Sequence, residues 1–451
     1  MTQARTLLGD AHSRFIQVAT LLSLIDPHPH DNAGKQEQLV KKFLDSFALI
    51  CSTSSKGAES ASAVCLEVGH PTGTILRLAR NLGVSQDLTD GLRDILNDLT
   101  AVATKVQEPA ILYKIIELTQ DKIHSLLQRL CKPEIQKVVD QALEGINGTL
   151  FIEDAPGLEF LQWIRNLRTL TSLEPNQDTV RLVPHIRWAS EARWVYSEQI
   201  ELMFCPNGEE LPGWVTLIYK LGRYAAAAKA LLKLATKQPS LFFSIHVEAI
   251  QAPEQERFAT SNPDALMTML KRLSEGNKEQ FMSRLGQIWL TDDPELRFRR
   301  ACRHTLTVHA EMQLLSFYDH HAELTPRLLY MGTSKKACFL CHKFLSRHPL
   351  GMSVSASHQK LYPSWMPAPC SISSVRKKHK VLLWELSRHL EQTTVRDLET
   401  RLGIRRPWNL DSTAGPSLTT TGSIASDSNP TGFNFIHLSQ YFSITTAVVV
   451  F

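Results

Sequence analysis

The chain has 451 residues, 49 of them Lys or Arg and 45 Asp or Glu, for a formal net charge of +4. Hydrophobic residues at 43% and charged residues at 21% sit near globular averages and exclude a chain disordered throughout, while 21 Gly and 22 Pro are too few for a fibrous one. The length predicts roughly two to four domains, and so mild a charge argues for no nucleic-acid partner by itself.

Residues 1–150 are predicted as an all-α N-terminal domain, a surface on which a protein partner could dock. Apolar groups recur at three- and four-residue steps over 38–47, 76–81 and 111–118, and Gly83, Pro109 and Pro133 punctuate them. Within it, the apolar run 18–25 follows Arg14 and reads as a helix face, not a signal peptide. Residues 151–212 read as an irregular connecting layer, with several prolines and Trp163, Trp188 and Trp194. From 213 the pattern alternates: helix 213–235, strand 241–250, helix 262–290 opening at Pro263, and strand 327–331 ended by Gly332. An amphipathic helix over 381–390 closes an α/β domain at 213–395. The remainder, 396–451, reads as linker and tail: no Lys or Arg follows Arg406, 411–434 reads as disordered, and 443–451 is uncharged and β-prone. No apolar run is long enough to span a membrane, and eight dilute cysteines make no disulfide framework, so cytoplasm or nucleus is the expected compartment.

Two short motifs carry the chemistry. His309-Ala310-Glu311 opens one predicted helix, and Cys338-Phe339-Leu340-Cys341 opens another directly after a strand. Cysteines at i and i+3 share one face of a first turn, so both sulfurs reach a single metal, and the helix N-terminus favours the thiolate that zinc requires. His309 supplies a third ligand, leaving the fourth tetrahedral position for water, the layout of a catalytic zinc site. Glu311 then stands close enough to take a proton from that water. Other readings of the same residues are a thioredoxin-like redox pair and a four-ligand structural zinc closed by Cys302, His304, His342 or Cys370. His320 and His321 read as a surface pair at a helix end.

With the segments 308–315, 332–341 and 354–358, and Trp365 and Pro367 following, the sequence resembles the zinc-dependent cytidine deaminase-like superfamily, most strongly over 305–370. Its finer features resemble the fungal-expanded, toxin-related branch of nucleic-acid or nucleotide deaminases. That resemblance implies a three-layer α/β/α domain binding Zn2+ through His309, Cys338 and Cys341. It also implies hydrolytic deamination of a cytosine- or adenine-type base, with zinc-bound water as nucleophile and Glu311 as proton shuttle. The superfamily usually has proline before the first cysteine; this chain has Ala337. His358, Trp365, Lys335 and Lys336 are the expected substrate contacts, and nucleotide or single-stranded nucleic acid the expected substrate. The alternative is a deaminase-fold scaffold that binds zinc without turnover.

Overall fold

Two aliphatic, partly β-branched runs flanking Pro71-Thr72-Gly73 form a hairpin at the centre of the fold, in which β1 (Ser62–His70) pairs antiparallel with β2 (Gly73–Arg80). Gly73 has φ +114, and a Cβ there would fall 2.3 Å from the Ser244 carbonyl oxygen, so the turn requires glycine. The structure is a computed structural model that describes residues 9–25, 39–101, 108–147, 155–171, 178–205, 211–273 and 276–400. The tail readings at 411–434 and 443–451 lie outside the described residues. Among the described residues, no helix is long and apolar enough to cross a membrane.

Before the hairpin come α1 (Gly9–Ile25) and α2 (Leu39–Cys51). After it the chain leaves the sheet for a helical layer: α3 (Gln86–Thr100), α4 (Glu108–Leu118), α5 (Gln120–Leu130), α6 (Pro133–Asn147), α7 (Ala155–Arg165), α8 (Leu167–Thr171), α9 (Thr179–Trp194), α10 (Ser197–Phe204) and α11 (Gly213–Lys237). It returns through β3 (Ile245–Ala249) and β4 (Glu256–Phe258), then α12 (Ala265–Leu273), α13 (Lys278–Trp289) and α14 (Pro294–Ala301). The last stretch holds β5 (His304–Val308), α15 (Ala310–His320), β6 (Tyr330–Thr333), α16 (Phe339–Leu345), β7 (Ser353–Val354), β8 (Trp365–Met366) and α17 (Ser373–Thr400).

The main sheet has the order β3-β2-β1-β6-β7, and a smaller one the order β4-β5-β8. In the main sheet β1 meets β6 antiparallel, while β2 meets β3 and β6 meets β7 in parallel. Alternation along β1 sorts the faces. Ala63 and Cys65 join the core with α15, α16 and α17, while α2 covers β1 and β6 on the opposite face and α11 backs it. The result is the α/β/α layering that the resemblance implies.

The reading of 1–150 as all-α fails at the hairpin. Ile75, Leu76, Leu78 and Ala79 are spaced like one face of a helix, yet all four are buried because β2 is covered on both faces. Residues 151–212, expected to be irregular, carry α7 to α10. There Trp163 and Trp188 stack 4.6 Å apart, and each indole N–H donates to the other residue's carbonyl at 3.3 and 2.9 Å. The helix expected at 262–290 is two helices, and the strand expected at 327–331 starts three residues late.

Polar contacts lock the layers together. Asp45 on α2 accepts from Tyr330 Oη at 2.7 Å and from the Thr333 N–H at 3.0 Å on β6. The two elements lie so close that a Cβ on Gly332 would come 2.2 Å from the Leu44 carbonyl carbon. On the other face the Arg77 guanidinium forks onto Glu67 with both bonds at 2.9 Å and also pairs with Glu248; Tyr318 Oη on α15 donates to Glu67 at 2.8 Å.

A second cluster ties α15 to α17. Asp319 Oδ2 accepts from His348 Nε2 at 3.0 Å and from His379 Nε2 at 2.9 Å, all three side chains nearly inaccessible. Three ligand-type atoms meet here too, but the Leu350 N–H donates to His348 Nδ1 at 3.3 Å, which leaves the imidazole proton on Nε2, facing Asp319. The cluster is a hydrogen-bonded staple. Burial raises the Asp319 carboxyl, but the two histidines outweigh it and hold it well below its ordinary 3.8. A depressed carboxyl contributes stability that is complete above the ordinary range and drains away as pH falls below about 4. Asp319→Asn is expected to cost about 3 kcal/mol at neutral pH and to flatten the acid limb of the stability curve, measured by denaturant unfolding between pH 3 and 7. An unchanged acid limb would contradict this assignment.

Candidate active site

The histidine and the two cysteines arrive from two helix starts. His309 is the N-cap of α15, directly after β5, and Cys338 is the N-cap of α16. The Cys338 sulfur accepts from the Cys341 N–H at 3.3 Å, so the second cysteine's own backbone holds the first in place. His309 Nδ1 lies 3.6 Å from Cys338 Sγ and 3.4 Å from Cys341 Sγ. Burial opposes charge on the Cys338 thiol, but the hydrogen bond with Cys341 and the charge of His309 prevail and hold it well below its ordinary value. Burial and the neighbouring Cys338 push Cys341 up, so Cys338 carries the negative charge of the pair. One nitrogen and two sulfurs converging on one point are a donor set that fits zinc.

Hydrogen bonds from the hairpin fix the start of α15. Asn81, one residue past β2, accepts from the Ala310 N–H at 2.9 Å, and its side-chain amide donates to the Ala58 carbonyl at 2.7 Å. Gln313 Nε2 donates to the carbonyls of Val308 at 3.0 Å and Arg80 at 3.1 Å. Both residues are buried. They hold the first turn of α15 against the end of β2, and with it Glu311.

Glu311 faces a cavity of about 210 Å³ lined also by His309, Cys338, Asn81, Thr333, His358 and Tyr362. It is 9% exposed, and burial pushes its carboxyl above the ordinary value against the pull of His309. A buried carboxyl poised this way can exchange a proton at neutral pH. The Tyr362 ring meets the His309 ring edge-on at 6.1 Å and the His358 ring at 5.8 Å. His358 Nδ1 accepts from the Lys360 N–H at 2.9 Å, which puts its proton on Nε2. Burial, aided by Lys360, pulls His358 down to about 3, so a neutral donor stands at the wall near neutral pH.

Ala337 has a physical reason. Its N–H donates to the Ala356 carbonyl at 2.9 Å, and its own carbonyl accepts from the His358 N–H at 3.1 Å and from Ser357 Oγ at 3.0 Å. Proline has no N–H to give, so Ala337 exchanges a rigid φ for a bond that moors the 356–360 loop. That loop is sharply turned: Gln359 has φ 59, a left-handed conformation uncommon for a residue with a side chain.

The site thus gathers His309, Glu311, Cys338, His358, Lys335 and Lys336 around one cavity, with Cys341 buried behind Cys338 and His309. Trp365 is placed elsewhere. It is fully buried behind the donor set, 5.2 Å from the Phe15 ring and 5.8 Å from the Phe344 ring, and its indole N–H donates to Cys341 Sγ at 3.2 Å. It orients a sulfur and offers no face to a base. Two of the four further candidates for a fourth zinc ligand are engaged elsewhere: Cys370 Sγ meets His320 Nε2 at 3.4 Å, and His304 Nε2 meets Thr20 Oγ1 at 2.9 Å. Sequence reasoning missed Asn81 and Tyr362. The first stands at the end of a strand mistaken for a helix; the second sits between two residues that drew attention, with no signal of its own.

Residues 308–369 match the family model described as OTT_1508_deam-like deaminase. No curated protein and no solved structure matches the chain.

Proposed function

We propose that this chain, which carries a cytidine deaminase-like domain at 308–369, is a zinc-dependent hydrolase that replaces the exocyclic amine of a cytosine- or adenine-type base by oxygen, releasing ammonia. The observation that supports it most is the placement of buried Glu311 in the wall of the cavity into which His309 and Cys338 also face. Zinc on His309, Cys338 and Cys341 supplies, when bound, the Lewis acidity that makes water a nucleophile at neutral pH. Glu311 takes a proton from the attacking water and delivers protons to the ring nitrogen and the departing amine, so that base and water become oxo-base and ammonia. His358 donates Nε2–H to the base, and the Tyr362 ring supplies an apolar edge against which it rests.

Nucleotide or single-stranded nucleic acid is the proposed substrate, since Lys335 and Lys336 line the same cavity. The hairpin belongs to the catalytic unit, and the helices α3 to α11 are an insertion between β2 and the site. Incubating zinc-loaded protein with cytosine and adenine nucleosides, nucleotides and single strands is expected to release ammonia in step with base conversion. Full zinc occupancy with no conversion of any of them would favour the scaffold alternative.

A further inference from the structure

The loop over residues 356–360 straddles the first cysteine of the donor set. On one side of Cys338, the Ala337 N–H donates to the Ala356 carbonyl at 2.9 Å, and the Ala337 carbonyl accepts from the His358 N–H at 3.1 Å. On the other side, the Phe339 N–H donates to the Lys360 carbonyl at 2.9 Å. Inside that clasp the Ser357 hydroxyl has two partners at once. It donates to the Ala337 carbonyl at 3.0 Å and accepts from the Gln359 N–H at 3.2 Å. A hydroxyl can do both, whereas an aliphatic side chain can do neither. The accepted bond reaches two residues along the chain, a turn that serine favours, and it falls at Gln359, whose φ of 59 is uncommon for a residue with a side chain. Ser357 is half-buried and stays out of the cavity wall.

His358 stands between the two residues that this hydroxyl ties together. Its backbone is held at Ala337 and its Nδ1 by the Lys360 N–H at 2.9 Å, so the turn at Gln359 decides where Nε2–H points. A donor gives a bound base its full hydrogen bond only when its surroundings hold it to within about 0.5 Å. We infer that Ser357 is a positioning residue for base recognition: its hydroxyl ties Ala337 to Gln359 and so aims the His358 Nε2–H into the cavity. The assignment rests on the deaminase reading above, in which His358 contacts the base. The same bonds join base recognition to the metal site, because Cys338 lies between Ala337 and Phe339, the two residues that the loop grips.

The test compares wild type, Ser357→Ala, Ser357→Thr and Ser353→Ala as full-length, zinc-loaded proteins. Ser353 is the control because its hydroxyl also donates to a carbonyl, that of Leu329 at 3.0 Å, from β7 and outside the loop. With cytidine and adenosine 5′-monophosphates, Ser357→Ala should raise the KM of the nucleotide that is converted about fivefold and leave kcat within about twofold. Ser357→Thr, which keeps the hydroxyl, should restore the KM, and Ser353→Ala should match wild type. Zinc content should be equal in all four. The second readout needs no turnover. The imidazole nitrogen shifts of His358, assigned through the signal missing from His358→Gln, should show one tautomer, protonated on Nε2, in wild type and a mixture of tautomers in Ser357→Ala. An unchanged KM in Ser357→Ala, an unchanged tautomer, failure of threonine to restore either, or an equal effect of Ser353→Ala would each overturn the assignment. If wild type converts neither nucleotide the deaminase reading fails, and the tautomer comparison then decides alone whether Ser357 sets the His358 ring.

Discussion

Glu311→Gln is expected to lower turnover by roughly 10³-fold while zinc content and fold stay intact. The substitution keeps the shape of a buried side chain and removes its ability to accept a proton. Zinc content should hold because the three donors, His309, Cys338 and Cys341, are untouched. The melting temperature should not fall, since burial already disfavours the charged carboxylate. Turnover is read as ammonia released per bound zinc, at saturating substrate and over a range of pH. The acidic arm of the wild-type profile, where protonation disables Glu311 as a base, should be absent from whatever residual rate per bound zinc remains. Equal turnover in the two proteins would remove Glu311 from the mechanism, and a parallel loss of zinc would make it a structural residue.

Cys338→Ser is expected to abolish zinc binding and with it much of the stability of the site. A metal that binds the folded chain alone stabilises it by about 4 kcal/mol when present at a thousandfold excess over its dissociation constant. For a chain of this size that corresponds to a loss of roughly 5 °C in melting temperature. Chelation of wild type should reproduce the loss, and chelation of Cys338→Ser should add nothing to it. The sharper control is Cys370→Ser, because Cys370 contacts His320 and lies outside the donor set; its zinc content should equal wild type. Lowering the pH should release zinc as the three donors take up protons. A redox pair would behave otherwise, forming a disulfide on mild oxidation and holding no metal. Zinc retained by Cys338→Ser would contradict the ligand assignment.

The donor set was legible because its chemistry is local. Two cysteines one helical turn apart and a histidine two residues from a glutamate keep their meaning whatever surrounds them. The α/β alternation from α11 to α17 was legible for a related reason, since α11 is long and rich in helix formers and β3 is short and flanked by loops. The hairpin was not. Its strands are buried on both faces, so the two-residue period that marks a half-exposed strand is missing, and β2 imitates a helix face. The Pro71-Thr72-Gly73 turn was the one sign available. Missing β2 also hid Asn81, which reaches Ala310 across 229 residues of sequence. No spacing rule spans such a separation. Trp365 shows the opposite failure: an aromatic near the site suggested stacking, but its indole N–H was needed at a sulfur. Which polar groups line a cavity depends on tertiary packing, and local pattern carries little of that.

The central claim is that the zinc held by His309, Cys338 and Cys341 works with Glu311 on a nucleobase. Its most direct test is ammonia release from a 5′-phosphorylated cytosine or adenine nucleoside, measured while chelated protein is titrated back with zinc. Release should rise in proportion to bound metal and level off at one equivalent per chain. Release at the same rate from chelated and loaded protein, or none from fully loaded protein with either nucleotide, would contradict the account.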